Sequence, residues 1–131
     1  MIGIDTNILV RYFMRDDLLQ SDAATRFIDS LSPANPGFLS LLNIAELWWV
    51  LSRSYKVSHD QLFTLISHIL DSEDLTVEKH DLVQQALKIA EPNGADLADC
   101  LITHSAIEAG CSQIMTFDRL AAKSAGMSLL A

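Results

Sequence analysis

Apolar and polar residues alternate along the chain with two different periods, which predicts helices separated by short strands. Residues 21–31 place Ala24, Phe27 and Leu31 three and four positions apart, the spacing of an amphipathic helix. Shorter apolar runs between the helical segments are the strand candidates. The predicted helices are residues 7–14, 21–31, 42–53, 58–70, 81–90, 96–109 and 119–124, and the predicted strands are residues 1–4, 37–40, 75–77, 112–117 and 127–130.

This order of elements favours the α/β class. Strands that alternate with helices form a mostly parallel central sheet whose two faces are covered. The Pro- and Gly-containing loops at residues 32–37 and 91–94 do not separate two segments that could each hold a core, so we expect one domain over residues 1–131. Ligands of such sheets bind at the carboxyl ends of strands, which is where Asp5 and Asp118 are expected.

Composition adds a charge constraint to this picture. The chain has 131 residues, half of them apolar, and a net charge of -8. Phosphate backbones attract Lys and Arg, so this charge alone argues against nucleic-acid binding. The objection weakens if carboxylates gather around a divalent cation, because the bound ion reverses the local field.

No apolar run reaches the roughly 20 residues that cross a bilayer, and no positive segment precedes an apolar one at the start, so we expect a cytoplasmic protein with no membrane contact. The two cysteines, Cys100 and Cys111, match no zinc spacing and are interpreted as reduced apolar residues.

Four acids interrupt segments whose neighbours are apolar. They are Asp5, Glu46, Asp99 and Asp118. An unpaired carboxylate in such a place costs several kcal/mol. Each acid alone has a simpler interpretation: Asp5 as a turn residue, Asp118 as a helix cap and Glu46 as a solvent-facing helix position. These interpretations do not explain all four together.

Two kinds of neutralisation are possible for these acids. The chain has only nine Lys and Arg residues, most of them in polar stretches, so pairing with buried cations is disfavoured. A shared Mg²⁺ or Mn²⁺ suits clustered oxygen ligands and needs no Cys or His. Asp96 and Asp99 lie three positions apart on one predicted helix, which places both on one face. Asp96 is equally suited to cap that helix.

Four motifs resemble the PIN-domain ribonucleases, and their order is most similar to the VapC-type toxins of bacterial toxin–antitoxin pairs. They are Ile-Asp-Thr-Asn-Ile-Leu at 4–9, Asn-Ile-Ala-Glu-Leu at 43–47, Gly-Ala-Asp-Leu-Ala-Asp-Cys-Leu-Ile at 94–102 and Met-Thr-Phe-Asp at 115–118. The resemblance spans nearly the whole chain. One departure is Cys100, where the family often has Ala.

The resemblance implies a three-layer α/β/α sandwich and Mg²⁺- or Mn²⁺-dependent cleavage of RNA, leaving a 5′-phosphate and a 3′-hydroxyl. It implies a catalytic quartet of Asp5, Glu46, Asp99 and Asp118. Asp96 would be an auxiliary metal ligand beside Asp5, Asp99 and Asp118. Glu46 would position the attacking water, accept its proton or hold a second metal. The side chains expected to orient the carboxylates are Thr6, Asn7 and Thr116.

The same resemblance implies an RNA substrate, a cognate antitoxin and a homodimer. Cations are expected to contact the RNA, and the candidates are Arg11, Arg15, Arg53, Lys56 and Arg119. Trp48 and Trp49 point to different sides of one predicted helix, so one or both are expected to pack in the core or a subunit interface, and stacking on bases is the less favoured alternative. The apolar segment 42–51 has more apolar surface than one core stripe needs, which favours partner contacts.

Two alternative functions remain open at this point. Mg²⁺-dependent phosphatases or phosphotransferases that use an aspartyl nucleophile also place an Asp after the first strand. One such type needs a second Asp two residues later, where this chain has Asn7. The other alternative is a catalytically inactive acidic binding module of the same fold, which the complete acidic set disfavours.

Overall fold

Seven helices and five short strands build the computed structural model, which describes all residues from Met1 to Ala131. The helices are α1 (Thr6–Met14), α2 (Leu18–Asp29), α3 (Leu41–Arg53), α4 (His59–Asp71), α5 (His80–Asn93), α6 (Leu97–Glu108) and α7 (Arg119–Ser124). The strands are β1 (Ile2–Gly3), β2 (Gly37–Leu39), β3 (Leu75–Val77), β4 (Met115–Thr116) and β5 (Ser128–Leu129). None of the helices has the length and apolar character needed to span a bilayer.

All strand pairs are parallel, which confirms the predicted α/β class. β2 lies between β1 and β3, and Gly37 pairs with Ile2 on one side and with Leu75 on the other. β4 pairs with β5 in a separate two-stranded sheet. The strands therefore form two hydrogen-bonded groups, and β1 is the edge of the first group. The backbone N–H groups of Ile2 and Ile4 donate to the carbonyl oxygens of Pro36 and Phe38. The N–H and carbonyl groups of Gly3, between them, therefore point away from β2.

The core is built mainly by helices because the strands are only two or three residues long. α3 packs against α1, α4 and α6, and α5 packs against α4 and α6. Trp48 is fully buried in α3, and its ring lies 5.1 Å from that of Phe63 on α4. The neighbouring Trp49 is exposed, which confirms that the two tryptophans point to different sides of the helix. α3 is thus the helix that joins the core to the surface.

Two helix boundaries differ by three residues from those that the periodicity predicts. α2 begins at Leu18 because the Asp17 side chain accepts a hydrogen bond from the Gln20 N–H and caps the helix. The leucines in the first turn of α2 are exposed, so this turn does not extend the apolar stripe from which the helix was predicted. α5 continues through Pro92 and ends at Gly94, whose φ of 61° is a left-handed conformation that glycine adopts without strain.

Gly37 allows β1 and β2 to pack closely against their neighbours. A Cβ at this position would clash with Cδ1 of Ile4 and would lie 3.0 Å from Leu31 Cδ1. Ile4 is the buried residue that precedes Asp5. The glycine therefore helps to fix the end of β1 from which the Asp5 carboxylate projects.

We expect Leu47→Ala to lower the free energy of unfolding by about 2–5 kcal/mol, because it leaves a cavity in a packed core. Leu47 is 0% exposed on the buried face of α3. The matched control is Leu19→Ala on α2, where the leucine is 85% exposed. We expect the control to change the free energy by less than about 0.5 kcal/mol. Urea unfolding measures both values, and equal effects would contradict the packing described for α3.

Candidate functional site

Asp5 is the first acid of the site and follows directly after β1 and Ile4. Its backbone occupies the N-cap position of α1, but its side chain makes no capping hydrogen bond. The carboxylate is exposed and lines a cleft of about 350 Å³ together with Asn7 and Arg11. The Asp5 carboxylate is therefore open to a ligand, and Asn7 lines the same cleft.

A hydrogen bond between Thr6 and Asn43 connects the start of α1 to the start of α3. The Asn43 amide donates to the Thr6 hydroxyl at 2.9 Å, and Thr6 is buried. The amide oxygen of Asn43 accepts from the Ser40 N–H at 2.9 Å, and the Ser40 hydroxyl accepts from the Asn43 N–H at 3.1 Å. The capping box orders the first turn of α3, and the hydrogen bond between Asn43 and Thr6 fixes that turn relative to Asp5.

Glu46 lies one turn after Asn43 on the exposed side of α3. It lines a cleft of about 460 Å³ between α3 and the start of α6, together with Trp49 and Ala98. The carboxylate makes no hydrogen bond or ion pair within the protein. Glu46 thus faces a space that can admit a ligand.

Asp96 and Asp99 occupy the N-terminal end of α6. The Asp96 side chain caps the helix by accepting a hydrogen bond from the Asp99 N–H at 3.1 Å. Asp99 is half-buried, and its pKa is raised by burial first and then by the charges of Asp96 and Asp118. The charge of Arg53 acts in the opposite direction. Asp96 therefore has its simpler capping role, and it also adds negative charge beside Asp99.

Asp118 joins this cluster from the C-terminal part of the chain. Its Oδ1 accepts hydrogen bonds from the N–H groups of Leu120 and Ala121, which makes it the N-cap of α7. Its own N–H donates to the Thr116 hydroxyl at 3.0 Å. The Thr116 hydroxyl therefore holds the backbone of Asp118, while Oδ2 of Asp118 makes no hydrogen bond within the protein.

The carboxylates come close enough to repel one another but do not form a complete metal site. No group of three or more Asp, Glu, His or Cys side chains converges at metal-ligand spacing. Asp96 and Asp118 act on Asp99, whereas Asp5 and Glu46 are not among the charges that shift its pKa. The donor chemistry fits Mg²⁺ or Mn²⁺, since all donors are oxygens. The positions of the donors do not yet give one coordination sphere.

The five cations proposed to contact RNA differ in their surroundings. Arg11 binds Asp16 at 2.8 Å, and Arg15 binds Asp22 at 3.1 Å, so both charges are paired. Arg53 stacks over Trp49, with its guanidinium carbon 4.6 Å from the ring centroid. Lys56 and Arg119 are exposed and take part in no ion pair.

Three structurally important residues were not among the predicted site residues. Asn43 and Ser40 form the capping box described above, and Asn43 reaches Thr6. Glu78, after β3, accepts a hydrogen bond from the Leu41 N–H at 2.9 Å and so holds the start of α3. The motif at residues 43–47 contains Asn43, which was the available signal for it. Glu78 contacts residues 37 positions away, so no local pattern indicates its role.

Comparison with known proteins places the chain in a family that has this fold. A family model described as PIN domain matches residues 2–126, and the chain belongs to the PIN domain family. The chain is also similar to a protein named VapC ribonuclease from Aquifex aeolicus (strain VF5). The two are 24% identical over 117 residues, which cover 88% of this chain and 86% of that protein.

We expect Asp99→Asn to stabilise the metal-free protein at pH 7. The folded-state pKa of Asp99 lies above its ordinary value of 3.8, so the group favours folding when protonated. That contribution is complete below the ordinary pKa and is lost as the pH rises through the folded-state value. The charged Asp99 therefore destabilises the fold at neutral pH.

Thermal unfolding in EDTA between pH 3 and pH 8 measures this effect. The melting temperature of Asp99→Asn should exceed that of the wild type at pH 7, and the difference should shrink as the pH falls toward 3. Glu73→Gln, at an exposed turn residue, removes the same net charge and serves as the control. An Asp99→Asn variant with a lower melting temperature than the wild type at pH 7 would contradict the crowding of carboxylates.

Proposed function

We propose that the protein is a Mg²⁺- or Mn²⁺-dependent endoribonuclease and the toxin of a toxin–antitoxin pair. One observation carries the proposal: none of Asp5, Glu46, Asp96, Asp99 and Asp118 forms an ion pair with a Lys or Arg. Asp99 nevertheless remains half-buried beside two other carboxylates. A divalent cation is the partner that turns this repulsion into binding energy. The family and the ribonuclease relative support an RNA substrate.

Asp5, Asp99 and Asp118 would hold the ion, with Asp96 as an additional oxygen ligand. When bound, the ion lowers the pKa of a coordinated water and polarises the scissile phosphate. Thr6 and Asn43 fix the segment that carries Asp5, and Thr116 orients Asp118. Each of these contacts holds the segment that carries a carboxylate, and a metal site needs its carboxylates in one orientation.

Glu46 is the proposed proton acceptor for the attacking water. Its carboxylate faces the cleft between α3 and α6 and is not engaged by another side chain. Water oxygen bonds to phosphorus, and the bond from phosphorus to the 3′ oxygen breaks. The water proton passes to Glu46, and the departing 3′ oxygen takes up a proton from solvent. The products are a 5′-phosphate and a 3′-hydroxyl, so the ribose 2′-hydroxyl takes no part in the attack.

We expect Asp5→Asn and Asp99→Asn to lower metal-dependent RNA cleavage by more than about 100-fold, since loss of even an outer contact of a metal ligand typically costs 10–100-fold. Cleavage is measured with labelled RNA in Mn²⁺, and 5′-phosphorylated ends are sequenced to identify the cut. Wild-type cleavage should stop in EDTA and resume with excess Mn²⁺. Glu73→Gln is the control with unchanged activity.

Full cleavage by both Asp variants would reject the nuclease assignment. Hydrolysis of an aryl phosphate that depends on Asp5, without RNA cleavage, would instead identify a phosphatase. A third measurement separates an inactive binding module from both enzymes. Mn²⁺ at about 100 times its Kd should stabilise a metal-binding fold by about 2.7 kcal/mol, and Asp99→Asn should reduce this gain.

We also propose that the protein forms a homodimer, and the similarity to a VapC ribonuclease supports a cognate antitoxin as a separate partner. The support for the homodimer is an apolar groove of about 420 Å³ between α3 and α6, in which Ser105 is the sole polar residue. Leu42 is 81% exposed and Ile102 is 56% exposed along this groove. A charged partner surface would lose hydration here without gaining an ion pair. A second copy of the same apolar surface avoids that loss and forms a two-fold interface.

We expect Ile102→Glu to convert the dimer to a monomer, because it places a charge at the centre of an apolar contact. Light scattering coupled to gel filtration measures the mass of the wild type and the variant. Ile89→Glu on α5, where the isoleucine is 42% exposed, is the control that should keep the dimer mass. A wild type that is monomeric at micromolar concentration would exclude this homodimer.

A further inference from the structure

An aromatic residue and a cation form a stacked pair at the C-terminal end of α3. The guanidinium carbon of Arg53 lies 4.6 Å from the centroid of the Trp49 ring. The two residues are four positions apart, which places them on the same face of the helix. Trp49 remains 51% exposed despite this contact, whereas the adjacent Trp48 is fully buried. The stack with Arg53 therefore leaves a large aromatic surface open to solvent.

The open surface of Trp49 borders the candidate site. Trp49 lines the same cleft as Asn43, Glu46 and Ala98, and Ala98 directly precedes Asp99. Glu46 and Trp49 are three residues apart, about 4.5 Å along the helix axis. A molecule that reaches Glu46 through this cleft therefore lies within reach of the indole ring.

The charge of Arg53 is available to a ligand. Arg53 stacks over Trp49, which lines the cleft that contains Glu46, and Arg53 forms no ion pair. Arg11 and Arg15, by contrast, are paired with carboxylates and hydrogen-bonded to further side chains. Arg53 is thus an unpaired guanidinium beside the acidic cluster, presented next to an aromatic face.

We propose that Trp49 and Arg53 form a subsite for one nucleotide of single-stranded RNA next to the acidic cluster. The indole stacks on a base, and the guanidinium binds the neighbouring phosphate. Base–aromatic stacking and Arg–phosphate contacts are the usual means of binding unpaired RNA, and both tolerate any base. The inference rests on the proposed RNA substrate, and it assigns the direction in which the strand leaves the cleavage site: along α3 toward Arg53.

The test measures binding separately from cleavage. A fluorescein-labelled single-stranded RNA of mixed sequence is titrated with the protein in EDTA, so that binding is read by anisotropy without turnover. Loss of one stacking contact should weaken binding of Trp49→Leu by roughly 5- to 100-fold. Trp49→Phe keeps an aromatic face and should retain most of the affinity. Circular dichroism and the melting temperature show whether each variant is folded.

The charge of Arg53 has its own readout. We expect Arg53→Gln to reduce the slope of log Kd against log salt by about 0.7, the value for one phosphate contact on a single strand. Lys88→Gln removes the same charge from the exposed surface of α5, away from the cleft, and should leave that slope unchanged. Double-stranded RNA of the same length should bind more weakly than the single strand, because its bases are already stacked.

Equal affinity of Trp49→Leu and the wild type would overturn the proposal, and so would equal salt slopes for Arg53→Gln and Lys88→Gln. These outcomes are distinct from failure of the nuclease assignment. If the wild type binds RNA through Trp49 but does not cleave it in Mn²⁺, the subsite stands and the catalytic proposal falls. If Mn²⁺-dependent cleavage occurs with unchanged KM in Trp49→Leu, the catalytic proposal stands and the subsite falls.

Discussion

Repulsion among carboxylates at the start of α6 is the interaction on which the organisation of this molecule depends. Asp99 is half-buried, and the negative charges of Asp96 and Asp118 act on it. No Lys or Arg forms an ion pair with any of the three. A fold of ordinary stability, about 5–15 kcal/mol, does not keep such a cluster for packing reasons alone. The core built by α3, α4 and α5 supplies the stability that offsets this repulsion.

α3 connects the packed core to the candidate site. Its buried face carries Trp48 and Leu47, while its exposed face carries Glu46, Trp49 and Arg53. Two hydrogen bonds fix the start of α3, one between Asn43 and Thr6 and one from the Leu41 N–H to Glu78. Because the buried face cannot rotate without opening a cavity, the exposed side chains have defined positions relative to α6. A rigid helix positions a site more accurately than a loop does.

Much of this arrangement follows from local sequence pattern. The order of helices and strands and the capping position of Asp96 were predictable from apolar periodicity and from residues close in the chain. The alternation of strands with helices also predicted parallel pairing. The family relationship was also recognisable from four short motifs. The start of α2 was not predicted because Leu18 and Leu19 are exposed and do not extend the apolar stripe of the helix.

The features that could not be predicted depend on contacts between distant segments. Glu78 bonds to Leu41 across 37 positions, and Tyr55 donates to Asp16 across 39. The division of the strands into two hydrogen-bonded groups also depends on contacts between distant segments. It explains why Asp5, at the end of β1, and Asp118, after β4, are not joined by a strand ladder. That these acids form one site remains a prediction from the sequence, and their separations are set by how the two sheet segments are packed.

The net charge of -8 now has a physical interpretation that is compatible with an RNA substrate. Several cations are paired with carboxylates, namely Arg11, Arg15 and Lys79, and contribute little to the field beyond their partners. Arg53 forms no ion pair and stacks over Trp49, which lines the cleft that contains Glu46. In a protein that repels polyanions overall, attraction has to be local, since charges beyond about 8–10 Å are screened at physiological salt. In the proposed function, a cation held by the acids and the guanidinium of Arg53, stacked on Trp49 at the rim of the same cleft, would provide that local attraction. An acidic composition would then restrict where RNA binds without preventing it.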